Sequence, residues 1–208
     1  DFDIYMICAT LLLLVGVLDD RFDLPVMPRM GLQAAVAGIM MYNGLYLSSL
    51  GNILFGYQLV LGAFGYVITL FAVIAAINAF NMVDGIDGLL GSLSCVTFGS
   101  LGIVFIMGGN DDMAMWCMCL MAACLPYILL NVGIAWRRKV KVFMGEAGSM
   151  LIGVTVIWLL DVASQWQDAG VRPVTALWRI AVPLTDKMRV MIGRIRRGRC
   201  PFLPDRGD

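Results

Sequence analysis

Long apolar runs, each close to the thickness of a lipid bilayer, dominate this chain of 208 residues. A membrane-spanning helix needs about 20 apolar residues, and seven runs reach or approach that length. They are Ile4–Leu18, Gly31–Leu50, Leu59–Asn78, Leu89–Met107, Ala114–Gly133, Ser149–Val162 and Val174–Ile192. The sixth run reaches span length only when Ala147 and Gly148, or the residues up to Trp166, are added.

The composition agrees with a membrane protein. Hydrophobic residues make up 60% of the chain and charged residues 14%, whereas soluble domains carry about 25% charged residues. The sequence therefore predicts an all-α fold, a polytopic bundle of about seven transmembrane helices that forms a single membrane-embedded domain over residues 1–208. The four tryptophans near or within span ends are expected to anchor helices at the membrane interface. They are Trp116, Trp158, Trp166 and Trp178.

The basic residues predict how the helices are oriented. Arg21 and Arg29 follow the first run, and further Arg and Lys residues lie within 137–141 and 187–206, whereas the opposite loops contain only Arg172. Cytoplasmic loops carry the excess of Lys and Arg, so the first set is predicted to face the cytoplasm. Lys plus Arg equals Asp plus Glu at 15 each, and no nucleic-acid partner is predicted. Without any histidine, the chain lacks His-based acid–base chemistry and His metal ligands.

This topology also sorts the carboxylates. Asp111, Asp112 and Asp168 fall in the opposite loops, where we expect them to be solvated. Seven acids fall on the cytoplasmic side: Asp19, Asp20, Asp23, Asp84, Asp87, Glu146 and Asp186. Carboxylates at a membrane are costly unless they are paired, hydrated or bound to a metal. Acids from several loops at one depth therefore form a candidate site.

The densest acidic segment runs from Asn78 to Gly88. If it is helical, Asn81, Asp84 and Asp87 recur every three residues and lie on roughly one face. Oxygen ligands at this spacing suit a hard cation, and Mg²⁺ combines a few protein oxygens with substrate phosphates. The alternative is an ordinary charged loop beside the membrane.

Three further segments carry charge on the predicted cytoplasmic side. Acids crowd within Leu18–Asp23 at a helix end, where they repel one another unless a cation or a proton intervenes. Glu146 is framed by small residues within Lys141–Ser149. The basic segment Arg194–Arg199 has two interpretations, because it could hold phosphate groups or lie on anionic lipid headgroups.

Together, these segments resemble the polyprenyl-phosphate N-acetylhexosamine-1-phosphate transferases. The matching stretches are LDDRFD (Leu18–Asp23), NAFNMVDGIDGLLG (Asn78–Gly91), VFMGEAGS (Val142–Ser149) and RRGRCPFLPDR (Arg196–Arg206). The similarity extends through the spans between them. Within the family, the segments VFMG-x-AG and VTALWRIAVPL are most similar to the bacterial branch that uses undecaprenyl phosphate and N-acetylglucosamine.

The resemblance implies a reaction and a location. Undecaprenyl phosphate would attack the β-phosphate of UDP-N-acetylglucosamine and release UMP, which leaves the sugar on a lipid pyrophosphate. This step initiates lipid-linked glycan synthesis, such as that of O-antigen or enterobacterial common antigen. The family implies a multi-pass protein of the bacterial inner membrane, with its active site facing the cytoplasm.

The resemblance also implies roles for single residues. Mg²⁺, with Mn²⁺ as an alternative, would be held by Asn81 and Glu146. Asp19 and Asp20 would orient or deprotonate the lipid phosphate, with Asp19 as the base, and Asp84 and Asp87 would line the nucleotide site; these four are the expected catalytic residues. The expected substrate-binding residues are Asn78, Lys141, Phe143, Arg196 and Arg197, with Phe143 stacked on the uracil.

The chain departs from the family pattern at two points. Glu146 stands where the family usually has Asp, and Mg²⁺ tolerates little departure from contacts of about 2.0–2.1 Å. The family also continues into a His-x-His-His loop, and this chain has no histidine. Both ends look internal, so we expect a piece of a longer protein that is inactive, or nearly so, by itself.

Three alternatives remain open at this stage. The chain could use another UDP-sugar, such as the muramoyl-pentapeptide donor. It could be a degenerate membrane fragment without activity. Acids within a membrane protein also serve cation transporters, although here they cluster at helix ends. A homo-oligomer is left open as well.

Overall fold

A computed structural model describes residues 2–46, 49–54, 57–84, 87–133 and 142–165. These residues form six helices and one two-stranded antiparallel hairpin. The elements are α1 (Phe2–Phe22), α2 (Val26–Tyr42), β1 (Ser49–Leu54), β2 (Tyr57–Val60), α3 (Phe64–Val83), α4 (Leu89–Met107), α5 (Asp111–Asn131) and α6 (Gly145–Gln165).

Five of these helices, α1 and α3 to α6, are long and apolar enough to cross a membrane. They correspond to the first, third, fourth, fifth and sixth apolar runs, and α4 has the bounds predicted for the fourth run. The sixth run reaches span length because α6 begins at Gly145. The described residues therefore form a largely helical membrane protein with five candidate spans. The predicted seventh span, Val174–Ile192, lies outside the described residues.

The prediction of one helix over Gly31–Leu50 is wrong. Helix α2 has 17 residues and ends at Tyr42, where Gly44 adopts a φ of +86°. The N–H of Leu45 bonds to the Met40 carbonyl at 3.0 Å and that of Gly44 to the Met41 carbonyl at 3.1 Å. This pair of bonds terminates a helix in a left-handed turn that glycine favours. Hydrophobicity continues past Leu45, but the helix does not.

The hairpin that follows is a departure from an all-α fold. β1 pairs with β2 in the register Ser49↔Val60, Asn52↔Gln58 and Leu54↔Tyr57. The third span therefore starts at Phe64 rather than at the predicted Leu59. An apolar run does not reveal which of its residues pair as strands, because strands and buried helices share the same composition.

Two other helix boundaries differ from the prediction. The side chain of Asn110 accepts a hydrogen bond from the Met113 N–H at 3.1 Å and caps α5. Asp111 and Asp112 consequently lie in the first helical turn rather than in a loop. Acidic side chains stabilise this end of a helix because it is the positive end of the helix dipole. The condition that would place Asn81, Asp84 and Asp87 on one helix face is not met, because α3 ends at Val83 before the turn that contains Asp87.

Helix α6 lies at the centre of the bundle and packs against α1, α3 and α4. In its apolar stretch, 78% of the residues are buried, compared with 17% in α5. Trp158 on α6 is only 2% exposed and stacks on Tyr5 of α1 with ring centroids 4.6 Å apart. The expectation that Trp158 anchors at the membrane interface is therefore wrong, because its ring fills the core instead.

Candidate functional site

The helix ends converge on the start of α6, and Asp84 links that start to α3. Asp84, at the end of α3, is 8% exposed. Its Oδ1 atom accepts hydrogen bonds from the Met144 N–H at 3.2 Å and the Tyr127 hydroxyl at 2.7 Å, and its Oδ2 accepts one from the Gly145 N–H at 2.9 Å. A helix start leaves N–H groups without intrahelical partners. Asp84 supplies two of these partners from another helix.

Asp20 supplies the next two partners from the end of α1. Its Oδ1 accepts a hydrogen bond from the Glu146 N–H at 2.7 Å, and its Oδ2 accepts one from the Ala147 N–H at 3.2 Å. Gly145 has a φ of +77°, and a Cβ atom there would lie 2.8 Å from Asp20 Oδ2. Glycine is therefore required at this turn. Gly16, one turn earlier on α1, lets α1 approach the backbone of Ala147 closely.

A second group of charges lies beside this capped helix start. Arg29 Nη1 lies 3.0 Å from Asp19 Oδ2 and 3.0 Å from Glu146 Oε2. Asn81 Nδ2 also donates a hydrogen bond to Glu146 Oε2. Asp19 Oδ1 accepts one from the Leu24 N–H at 2.8 Å. The exposed fraction of the side chain is 4% for Asp19, 19% for Arg29 and 31% for Glu146. Glu146 is thus the ion-paired carboxylate most open to a ligand.

The structure places the other predicted residues around this group. Asn78 lies one turn before Asn81, and its amide donates to Gln33 Oε1 at 2.5 Å and to the Ile74 carbonyl at 2.8 Å. Its side chain therefore connects α3 to α2. Phe143 precedes α6 and is 56% exposed.

Of the four remaining predicted residues, the structure describes one. Asp87 is exposed in the turn before α4. Lys141, Arg196 and Arg197 lie outside the described residues. The structure thus brings together Asp19, Asp20, Asn81, Asp84 and Glu146.

Sequence reasoning missed three residues of this region. Arg29 entered only the orientation argument, although a cation that follows an acidic pair closely was a signal for an ion pair. Tyr127 bonds to Asp84, and nothing in its own helix indicates this contact. Asn131 is 1% exposed, accepts a hydrogen bond from the Gly88 N–H and donates one to the Val142 carbonyl at 2.7 Å. It therefore ties the segment before α6 to the start of α4.

The donor set at Glu146 fits a hard cation. Mg²⁺ takes oxygen ligands and is held by one or two carboxylates together with substrate phosphates. Glu146 and Asn81 are in contact, and a half-turn of the Asn81 amide would present its Oδ1 atom instead of Nδ2. The guanidinium nitrogen of Arg29 already lies between oxygens of Asp19 and Glu146. In the described part of the chain, no group of three or more His, Cys, Asp or Glu residues could hold a metal ion. The remaining ligands would have to be water and substrate oxygens.

Comparisons with known proteins give a consistent result. Glycosyl transferase family 4 matches residues 3–163. The chain is 56% identical over 204 residues to the undecaprenyl-phosphate alpha-N-acetylglucosaminyl 1-phosphate transferase of Escherichia coli (strain K12), which covers 98% of this chain and 55% of that protein.

Two more relatives carry the same name. The protein of Yersinia pestis is 56% identical over 206 residues, covering 99% of this chain and 56% of the relative. That of Haemophilus influenzae is 51% identical over 204 residues, covering 98% and 58%. The chain spans about half the length of the curated relatives that it matches.

Proposed function

Because the chain belongs to glycosyl transferase family 4, we propose that it transfers N-acetylglucosamine 1-phosphate from UDP-N-acetylglucosamine to undecaprenyl phosphate and releases UMP. The names of its relatives support this acceptor and this transferred group. The nucleotide donor follows from the motif resemblance.

One structural observation carries the proposal. Asp19, Arg29, Asn81 and Glu146 come from the ends of four different helices and meet at one end of an apolar bundle. A charged site at the end of membrane-spanning helices can receive a lipid phosphate from the bilayer and a soluble nucleotide from water. Both substrates are anions, so the reaction needs positive charge between them.

We infer that this charge includes Mg²⁺, or alternatively Mn²⁺, with Glu146 and Asn81 as the protein ligands. The bound ion would reduce the repulsion between the two phosphates and stabilise the charge that develops on the pyrophosphate. Asp20 and Asp84 support this arrangement, because their bonds to the start of α6 hold the backbone of Glu146 in place.

The other roles follow from position. Asp19 contacts the guanidinium of Arg29, as Glu146 does. It is proposed to orient or deprotonate the lipid phosphate. Asp87 and the exposed Phe143 ring are proposed to contact the nucleotide, with Phe143 stacked on the uracil. Asn78, one turn before Asn81 on α3, is proposed to bind substrate. Lys141, Arg196 and Arg197 are proposed to bind phosphate groups.

We also propose that the protein resides in the bacterial inner membrane, with this site facing the cytoplasm. Arg21 and Arg29 lie at the same helix ends as the acids of the site, and positive residues favour the cytoplasmic side. The lipid-linked product would serve as the starting unit of an envelope glycan.

A donor panel tests the proposal. The full-length protein in membranes receives undecaprenyl phosphate, Mg²⁺ and one radiolabelled donor at a time, and lipid-linked product is counted. We expect transfer from UDP-N-acetylglucosamine, loss of transfer with EDTA, and transfer lowered by about a thousandfold in a Glu146→Gln variant. Transfer only from the muramoyl-pentapeptide donor would contradict the proposed sugar. No transfer from any donor by protein shown to be folded would favour the degenerate fragment.

A further inference from the structure

Arg29 binds the two carboxylates in an unusual way. Both contacts, to Asp19 Oδ2 and to Glu146 Oε2, use the same nitrogen, Nη1, at 3.0 Å. An arginine commonly binds a carboxylate through two parallel hydrogen bonds. Here, the Nε atom is buried and has no hydrogen-bond partner within the described part of the chain. The hydrogen bonds that the described residues make with the guanidinium therefore all involve Nη1.

Nη1 of Arg29 lies where the surrounding oxygens favour a positive charge. It lies between oxygens of two carboxylates from different helices, and Asn81 reaches the same oxygen of Glu146 from a third helix. A divalent cation bound to the same Glu146 oxygen would lie close to the guanidinium, and the two positive charges would repel each other. Arg29 and a metal ion therefore compete for this carboxylate.

The surroundings make the exchange feasible. Glu146 keeps its backbone position without Arg29, because its N–H is bonded to Asp20 at 2.7 Å. Arg29 is in the first turn of α2, and its side chain retains 19% exposure. The guanidinium can thus move while the backbone of Glu146 stays in place.

We propose that Arg29 is the resident cation of this site and neutralises Asp19 and Glu146 in the resting protein. When Glu146 binds a divalent cation instead, Arg29 is released and binds the phosphate of the incoming substrate. This inference rests on the proposed function and adds a residue to it. An arginine carries five N–H donors in a planar fork that matches phosphate oxygens. Arg29 is therefore a positioning residue in the resting protein and a phosphate-binding residue during the reaction.

Direct metal binding tests the competition without any transfer assay. Mn²⁺ is titrated against the full-length protein in nanodiscs of neutral lipid, and bound ion is measured by electron paramagnetic resonance. The component that disappears in a Glu146→Gln variant defines the site. We expect Arg29→Gln to bind Mn²⁺ at this site about tenfold more tightly, because a competing charge is lost. Arg29→Lys, which keeps the charge, should remain within about threefold of the original protein.

Arg21→Gln is the matched control. It removes the same charge from the exposed end of α1, two residues after Asp19. Its Mn²⁺ affinity should be unchanged. Equal or weaker Mn²⁺ binding by folded Arg29→Gln overturns the proposal, as does an equal gain in Arg21→Gln, since that gain would reflect net charge alone.

A measurement on the protein without substitutions covers the case in which Arg29→Gln does not fold. Phenylglyoxal modifies accessible arginines, and the rate at each site is read by mass spectrometry. Saturating Mn²⁺ should speed modification of Arg29 severalfold and leave Arg21 unchanged. An unchanged or slower rate at Arg29 overturns the exchange. Neither measurement uses the sugar donor, so both can be interpreted even if the transfer assay fails.

Discussion

Helices α1 and α6 run antiparallel and are joined at their two ends by opposite kinds of chemistry. At one end, Tyr5 stacks on Trp158 with centroids 4.6 Å apart, and its hydroxyl lies 3.0 Å from Thr155 Oγ1. At the other end, roughly 20 Å along the helices, Asp20 binds the backbone of Glu146 and Ala147. One end is joined by aromatic packing and the other by carboxylate bonds.

This difference indicates which end of the α1–α6 pair can bind a ligand. Buried rings gain their stabilisation from close packing, so another group cannot replace a neighbour without leaving a cavity. A carboxylate gains its stabilisation from whichever donor or cation faces it. Glu146 can therefore exchange one charged partner for another without disturbing the packing. We expect variants at the aromatic end to change stability and variants at the polar end to change activity.

The largest expected effect is on activity, from Glu146→Gln. The substitution keeps the volume of the side chain but removes the negative charge that would hold the metal, so transfer should fall by about a thousandfold. The melting temperature should change little. Both are measured on the same membrane preparation, by radiolabelled product and by thermal unfolding.

Glu146→Asp is its control, because it keeps the charge and shortens the side chain by one methylene. Transfer by this variant should stay within about tenfold of the original protein. Full activity in Glu146→Gln would contradict the assignment of the polar end as the catalytic one.

The next effect is on stability, from Trp158→Ala at the aromatic end. Removing this ring, which is 2% exposed, should cost about 3–5 kcal/mol of the free energy of unfolding. Activity per folded molecule at low temperature should be retained. Trp158→Phe preserves an aromatic ring and should lose less stability. If Trp158→Ala abolished transfer in protein that is still folded, the separation of the two ends would be incorrect.

Asp84→Asn should affect both properties moderately. An amide places a donor where the carboxylate accepts bonds from Tyr127, Met144 and Gly145. We expect a loss of about 1–2 kcal/mol and, because Glu146 shifts with the start of α6, roughly tenfold lower transfer. Asp112→Asn, an exposed acid in the first turn of α5, is the matched control: losing its interaction with the helix dipole should cost less than about 1 kcal/mol, and transfer should be unchanged. Unchanged stability in Asp84→Asn would show that its bonds do not hold α6.

The smallest expected effect comes from Tyr5→Phe. It removes the hydroxyl that pairs with Thr155 at 3.0 Å but keeps the ring on Trp158. The free energy of unfolding should fall by about 0.5–1.5 kcal/mol, as read from the thermal midpoint. Transfer should be unchanged, and a clear loss of transfer would connect the aromatic end to the site.

Part of the site could be predicted from the sequence. Asp19 and Asp20 end one apolar run, Asp84 follows another, and Glu146 precedes a third, so their placement at helix ends follows from local composition. The bonds of Asp20 and Asp84 to the start of α6 could not be predicted, because each joins residues at least 60 positions apart. Spacing within one segment carries no information on such pairs.

The sequence alone determined that this chain is a membrane protein, where five of its apolar helices lie, and which motifs place it in its family. These are properties of composition and local order, and they survive any rearrangement of the helices. The tertiary structure decided that Trp158 fills the core, that α2 ends at Tyr42, and that Arg29 lies between Asp19 and Glu146. Each of these depends on which surfaces meet when the helices pack, and the free energy of that packing is not a property of any single segment.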